Sequence, residues 1–337
     1  VKDVSTPPGE RSVQAMTFPR RYSSALLTVV GSLLLGGTLL AQSTSQPAQA
    51  VAQPATMKLS VLVLDKKKEP VTDLRREDFQ VFEGDEPQAV TFFSKEDVPV
   101  SYGLLIDSSG SLREQFPKII EAGKLIVSGG GPSDETFLVR FISSDKIELA
   151  LDYTADKAAL QDRIGSFKVE GGRTALVDAL YQSATYLAKR KPGEDLTRRR
   201  RALILVSDGE ERGSLKRPEE LIQFLRKADI QVFAIGLVTD LDEEGSLIRK
   251  SPRVKAAAFL EELAKETGGR AFIVESPSKL RDAALGLARH LHSQYVIGYN
   301  ATCKPGKDAY CKVRVKLTDA PGRDKFKVIA RAGYNAL

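Results

Sequence analysis

The feature that most limits what this chain can fold into is a strand-helix alternation running from about Val98 to Leu291. YGLLID reads as a strand, Phe116 to Val127 as a helix, and TFLVRFIS and KIELALDYT as two more strands. Lys157 to Ile164 and Ala175 to Lys189 carry helical patterning, and ALILVSD returns to strand. Glu219 to Ala228 reads as a helix, IQVFAIGLV as a strand, and Ala256 to Glu266 as a helix stopped by Thr267-Gly268-Gly269. RAFIVES and the helix Leu280 to Leu291 complete the series. ALILV is apolar at every position rather than at alternate ones, which is what a strand covered on both faces requires. The alternation predicts an α/β fold: a doubly wound, mostly parallel, Rossmann-like sheet with helices on both faces.

The flanks have a different rhythm. MKLSVLVLD and EDFQVFEGDEPQAVTFF are strand-like and break at Glu83-Gly84-Asp85-Glu86-Pro87. QYVIGYN, KVRVKLT and FKVIARAGY are strand-like too, with turns at Pro305-Gly306 and Pro321-Gly322. The expected organisation is a small β-rich unit at 57–97, the α/β domain at 98–292 and a C-terminal β-rich element at 293–337. The two β-rich segments either pair with each other or extend the main sheet. Cys303 and Cys311, the chain's two cysteines, bracket a turn-forming KPGKDAY and predict a disulfide across that loop.

Residues 1–41 read as upstream residues followed by a secretory signal. Arg20-Arg21 precedes an apolar stretch from Ala25 to Ala41, with small residues at the exit and a polar linker over 42–56. Met16 opens that signal, so residues 1–15 are expected to lie upstream of the true start. The expectation is export to the periplasm, cell envelope or medium, with cleavage after Ala41 or Ala50. A membrane role arises only if the apolar stretch stays uncleaved as an anchor. The formal charge of +6 over 337 residues, with most basic residues scattered, gives no case for a nucleic-acid partner.

Ligand sites in open parallel sheets gather at the carboxyl ends of strands. Three such places carry oxygen ligands: Asp107-Ser108-Ser109-Gly110-Ser111, the loop Gly171-Gly172-Arg173-Thr174, and Ser207-Asp208-Gly209. Two carboxylates and three hydroxyls without His or Cys suit a hard divalent cation. Read alone, DSSGS also fits a simple turn. A phosphate cradle lacks the Gly-x-x-x-x-Gly-Lys-Ser/Thr pattern, and Asp107 would repel the anion. A serine hydrolase needs a base, and His290 and His292, expected at the surface, stand two residues apart and share no helix face. A magnesium-dependent phosphoryl-transfer enzyme with Asp107 as nucleophile is the competing chemistry, although Ser109 stands where a second acid is expected.

Asp107-x-Ser109-x-Ser111, then Thr174 in GGRTAL, then Asp208 in VSDGE resemble the metal-ion-dependent adhesion site of von Willebrand factor type A (VWA) domains. The order and strand positions agree over roughly 98–292. The flanking PVTDLRREDFQVFEGDEPQAVTFF, LAKETGGRAF, LHSQYVIGY and final ARAGY resemble an exported bacterial subgroup of VWA-related proteins described from acidobacteria. The resemblance implies Mg²⁺ or Mn²⁺, with Ca²⁺ a poorer fit. Ser109, Ser111 and Thr174 would offer hydroxyls, and Asp107 and Asp208 would bind directly or through water. A Glu or Asp of a protein partner would complete the shell. On this reading the chain is an extracytoplasmic interaction or adhesion protein and not an enzyme; a structural envelope protein with a vestigial site is the blander alternative. Arg173 beside Thr174 departs from the pattern. Tyr295, Tyr299 and Tyr334 are expected to pack the C-terminal β element, and Asp242-Glu243-Glu244 and Glu261-Glu262 to face solvent.

Overall fold

The computed structural model describes residues 56–95, 98–190, 199–238, 241, 251–303 and 310–335. The expected signal, its cleavage points, the linker through residue 55 and the acidic run Asp242-Glu243-Glu244 lie outside the described residues. Among the described residues no helix is long and apolar enough to cross a membrane.

Four strands come first: β1 (Thr56–Leu64), β2 (Phe79–Glu83), β3 (Glu86–Gln88) and β4 (Val90–Ser94). The α/β alternation follows as β5 (Val100–Asp107), α1 (Phe116–Ser128), β6 (Glu135–Phe141), β7 (Ile147–Thr154), α2 (Lys157–Gly165) and α3 (Leu176–Lys189). It continues through β8 (Arg200–Ser207), α4 (Pro218–Ala228), β9 (Gln231–Leu237), α5 (Pro252–Thr267), β10 (Ala271–Val274) and α6 (Leu280–His292). β11 (Gln294–Asn300), β12 (Tyr310–Leu317), β13 (Lys327–Ile329) and β14 (Gly333–Asn335) close the chain. Helix α5 starts four residues before the expected Ala256. Ser251 accepts a hydrogen bond from the Val254 N–H and Pro252 fills the first turn, a polar start that apolar periodicity does not register.

The central sheet runs β10-β9-β8-β5-β6-β7, parallel throughout except where β7 returns antiparallel to β6. Alternate residues of each strand serve opposite faces. Tyr102, Leu104 and Ile106 of β5 pack with Ile119 and Ile126 of α1, Leu160 of α2 and Leu287 of α6. Leu105 belongs to the other face, with Leu180 of α3, Leu225 of α4 and Leu263 of α5. Burying each such side chain contributes about 1.5–3 kcal/mol.

The flanking β segments pair with each other and leave the main sheet alone. β1 lies antiparallel to β11 in a sheet ordered β13-β1-β11-β4, and β2 lies antiparallel to β12 in a sheet ordered β14-β12-β2-β3. Their inner faces share one core that includes Leu59, Val61, Val81, Ile297 and Val313. Tyr295, Tyr299 and Tyr334 sit in that core, as the sequence predicts. Cys303 and Cys311 are disulfide-bonded across the loop, with Cα atoms 6.2 Å apart.

The histidines are not at the surface. His290 is only 2% exposed, because the turn after β1 folds over the end of α6. Its Nε2 lies 3.1 Å from the Lys68 carbonyl, Arg270 approaches Nδ1 at 2.7 Å, and Arg289 pairs with Glu69 at 3.2 Å. Burial, then the Arg270 charge, push the imidazole down to about 4, so it is neutral at physiological pH. His292 is held inward beside Asp134, at 3.1 Å. Neither faces the cluster of oxygen ligands.

Candidate metal centre

β5 and β8 are adjacent and parallel, with Ile106 level with Val206. Chain direction therefore brings Asp107 and Ser207 to the same sheet edge. The chain leaves β5 toward one side of the sheet and β8 lies on the other, so this edge is a switch point where loops diverge and leave a crevice.

Asp107 is fully buried at the end of β5. Its Oδ1 accepts from the Ser109 N–H at 2.9 Å, and its Oδ2 accepts from the Ser207 hydroxyl at 2.7 Å. Ser207 Oγ in turn accepts from the Gly209 N–H at 3.0 Å. Asp208 is 2% exposed; its Oδ2 accepts from the Ser111 hydroxyl at 2.7 Å and its Oδ1 from the Glu210 N–H at 2.9 Å. Ser109 Oγ and Ser111 Oγ stand 3.2 Å apart, which closes a chain from one loop to the other. Gly209 makes the turn behind Asp208 with φ of +80°, a region that disfavours other residues.

Thr174 is 3% exposed at the entry to α3. Its carbonyl accepts from the N–H groups of Arg212 and Gly213, which ties the second loop to the third. The Glu170 N–H donates to the Ser108 carbonyl at 3.0 Å and ties the second loop to the first. Gly172 is required by close approach, since a Cβ there would lie 2.4 Å from Ile142. The three loops expected to share a site thus touch one another. Arg173 stays exposed and turns its guanidinium to the Arg212 carbonyl at 3.1 Å.

Sequence reasoning missed three supporting residues. Ser207 orients Asp107, and its only signal was its place directly before Asp208. Asp178, one turn into α3, is 1% exposed and accepts from Ser144 Oγ, Leu215 N and Lys216 N at 2.6–2.9 Å. Glu211 accepts from Val177 N, Gly213 N and Ser214 N at 2.8–3.0 Å, which seats the third loop on the start of α3. That position also places its charge where the helix dipole favours it.

The electrostatics point to a cation. Burial, and then the neighbouring Asp208 charge, push the Asp107 carboxyl up to about 7. Asp208 is raised as well, first by burial. Neither carboxylate makes an ion pair among the described residues. Buried charges are ordinarily paired or bound to metal. Two sealed carboxylates, the Ser109 and Ser111 hydroxyls between them and Thr174 on the adjoining loop form an all-oxygen donor set of the kind that suits a hard divalent cation. Asp107, Asp208, Ser109, Ser111 and Thr174 are the residues that would hold the ion. Among the described residues no group of three or more His, Cys, Asp or Glu side chains comes together, here or elsewhere, so this set has two acids and depends on hydroxyls for its other contacts.

The family model for the von Willebrand factor type A domain matches residues 103–284, more than half the chain. Von Willebrand factor A domain-containing protein 2 of Xenopus laevis is 29% identical over 178 residues, 51% of this chain and 22% of that protein. The matched stretch therefore spans about a fifth of that relative's length. An aerotolerance-related membrane protein from Bacteroides fragilis aligns at 20% identity and TM-score 0.44, over 57% of this chain and 98% of that one. Proximal thread matrix protein 1 from mussel byssus, solved with a zinc-occupied MIDAS motif, aligns at 20% identity and TM-score 0.47, over 63% of this chain and 50% of its own. A von Willebrand factor type A protein from Catenulispora acidiphila aligns at 14% identity and TM-score 0.44, over 86% and 75% of the two chains. With the matched segment spanning the α/β sheet and its three site loops, the chain belongs to the von Willebrand factor type A domain family.

Proposed function

We propose that this chain is an exported VWA protein that binds Mg²⁺ or Mn²⁺ through Asp107, Ser109, Ser111, Thr174 and Asp208 and uses the ion to hold a partner protein's carboxylate. The observation that carries the reading is the pair of buried acids, Asp107 and Asp208, with hydroxyl and backbone donors but no ion pair among the described residues. Ser111 is exposed while Asp107 is sealed, so the open side of the centre faces outward past Ser111. Two acidic ligands leave a divalent ion with few anionic contacts, and an outside Glu or Asp supplies the next one. The chain's own residues would bind and orient; the ion would supply the positive charge that the partner meets.

Binding is favoured over phosphoryl transfer. Asp107 is sealed and both its oxygens already accept hydrogen bonds, which suits a ligand that meets a small ion from below, directly or through water, and does not suit a nucleophile that must reach a bulky phosphoryl group. Isothermal titration of Mg²⁺ and Mn²⁺ into the chain, with Asp208→Ala as control, tests the metal. Capture from envelope extract in Mg²⁺ and again in EDTA tests the partner; equal capture in both, or equal capture by Asp208→Ala, contradicts the reading. Robust aryl phosphate turnover lost in Asp107→Asn would replace it with the enzyme.

A further inference from the structure

β12 alternates strictly. Cys311, Val313 and Val315 enter the sandwich core, whereas Tyr310, Lys312, Arg314 and Lys316 lie on the outer face. Strand geometry spaces such outward side chains by about 6.8 Å. Three cations therefore stand in a line, with Arg314 and Lys316 over the Phe82 ring at 5.2 and 5.7 Å. At the Tyr310 end, the last turns of α4 and α5 face the strand across a recess of about 540 Å³. Arg226 and Lys265 line its far wall.

The recess is built rather than merely basic. Arg226 is bonded to Glu266 and held over the Tyr310 ring at 4.5 Å from its centroid. Tyr310 remains 36% exposed, among the few large aromatic groups that are. Lys265 and Lys312 make no ion pair among the described residues, and Arg314 stands 3.6 Å from an Asp85 carboxylate that is almost fully exposed. Cations outnumber acids, but Asp85 and Glu266 are both there. Each of these carboxylates sits beside an arginine and keeps acceptor sites that the side chains of an acidic peptide, which carry no hydroxyls, would leave unused. A ligand with carboxylates and hydroxyls would satisfy both signs, because a carboxylate has acceptor sites to spare for hydroxyl donors.

We propose that this recess and the β12 stripe bind an acidic polysaccharide of uronic-acid units. Lys265, Lys312 and Arg314 meet its carboxylates, Asp85 and Glu266 accept its hydroxyls, and the exposed edge of Tyr310, whose ring is held under Arg226, borders a sugar ring. The line from Lys312 to Lys316 covers about 14 Å, enough for successive sugars rather than one. The site is separate from the metal centre. The end of α5 adjoins the start of β9, where Thr267 Oγ1 accepts from the Val232 N–H at 2.9 Å. That is the sheet edge opposite the one carrying Asp107 and Asp208.

The test is calorimetric titration of the full chain with hexameric oligogalacturonate in EDTA, beside maltohexaose and a glutamate hexapeptide. The account expects binding of the uronate alone, weakening with salt. It expects Asp208→Ala to leave that binding unchanged. The pair Lys265→Gln and Lys312→Gln, with an unchanged melting temperature, should weaken it about tenfold. Tyr310→Ala should weaken it separately. No uronate binding, binding indifferent to the lysine pair, or peptide binding as tight as uronate binding would each overturn the proposal.

Discussion

Asp107 and Glu83 are both carboxylates sealed inside this molecule, and their surroundings treat them in opposite ways. Glu83 sits in the flanking β-sandwich and collects five donors. Tyr299 and Tyr334 donate hydroxyls to Oε1 at 3.0 and 2.6 Å; the Thr302 hydroxyl, the Thr302 N–H and the Cys303 N–H donate to Oε2 at 2.6–2.8 Å. Burial alone would raise its pKa, but those donors more than offset it and hold the carboxyl below its ordinary value. Asp107 has fewer donors, all from Ser109 and Ser207, and a second buried acid beside it, and it is raised to about 7. A charge satisfied by its own fold serves structure. A charge left in need of positive partners, at a sheet edge where three loops converge, is where we propose that a cation binds.

The contrast breaks most easily at Glu83. Glu83→Ala strands its donors and should cost about 3 kcal/mol of unfolding free energy in a urea titration. A cost near zero would mean that water replaces the carboxylate and the cluster is incidental. Opening the Cys303–Cys311 disulfide, which closes a short loop beside that same cluster, should cost about 2.5 kcal/mol by the chain-entropy argument. Reduced and oxidised protein compared in one denaturant series measures it.

The two acids also impose opposite slopes on stability against pH. Folded Asp107 keeps its proton up to about pH 7, whereas the unfolded chain releases it near 3.8. Between those values the native state binds more protons, so metal-free protein should lose stability as pH rises through that window. Asp107→Asn should flatten this limb. Glu83, lowered from 4.5, contributes stability above that value which is lost as pH falls below it, and Glu83→Gln should remove the acid limb. Thermal melts across pH 3–8 in EDTA separate the two. The smallest effect is expected from Asp208→Asn in EDTA: removal of one buried like charge should leave the melting temperature equal or higher, and a large drop would mean that the pair is structural.

The candidate site was legible from sequence because each proposed ligand sits at a fixed offset from a strand end. Asp107 follows YGLLI, Asp208 follows ALILVS, and Thr174 precedes a helix. Local pattern places those ends, and parallel pairing brings them together. The sandwich was not legible in the same way. β1 pairs with β11 across more than 200 residues, and alternation within a strand carries no record of its distant partner. The Glu83 cluster failed for the same reason, since its donors come from β11, β14 and the disulfide loop. The buried His290 was misread because the covering turn at Lys68 belongs to a different part of the chain.

The central claim is that Asp107 and Asp208 await a cation whereas Glu83 does not. Melting temperature against Mg²⁺ and Mn²⁺ at neutral pH tests it most directly, with wild type, Asp208→Ala and Glu83→Gln in parallel. Wild type should be stabilised, by about 2.7 kcal/mol at a hundredfold excess over the dissociation constant. Glu83→Gln should start lower and shift equally, and Asp208→Ala should not shift. No wild-type shift at millimolar metal, or an equal shift in Asp208→Ala, would contradict the account.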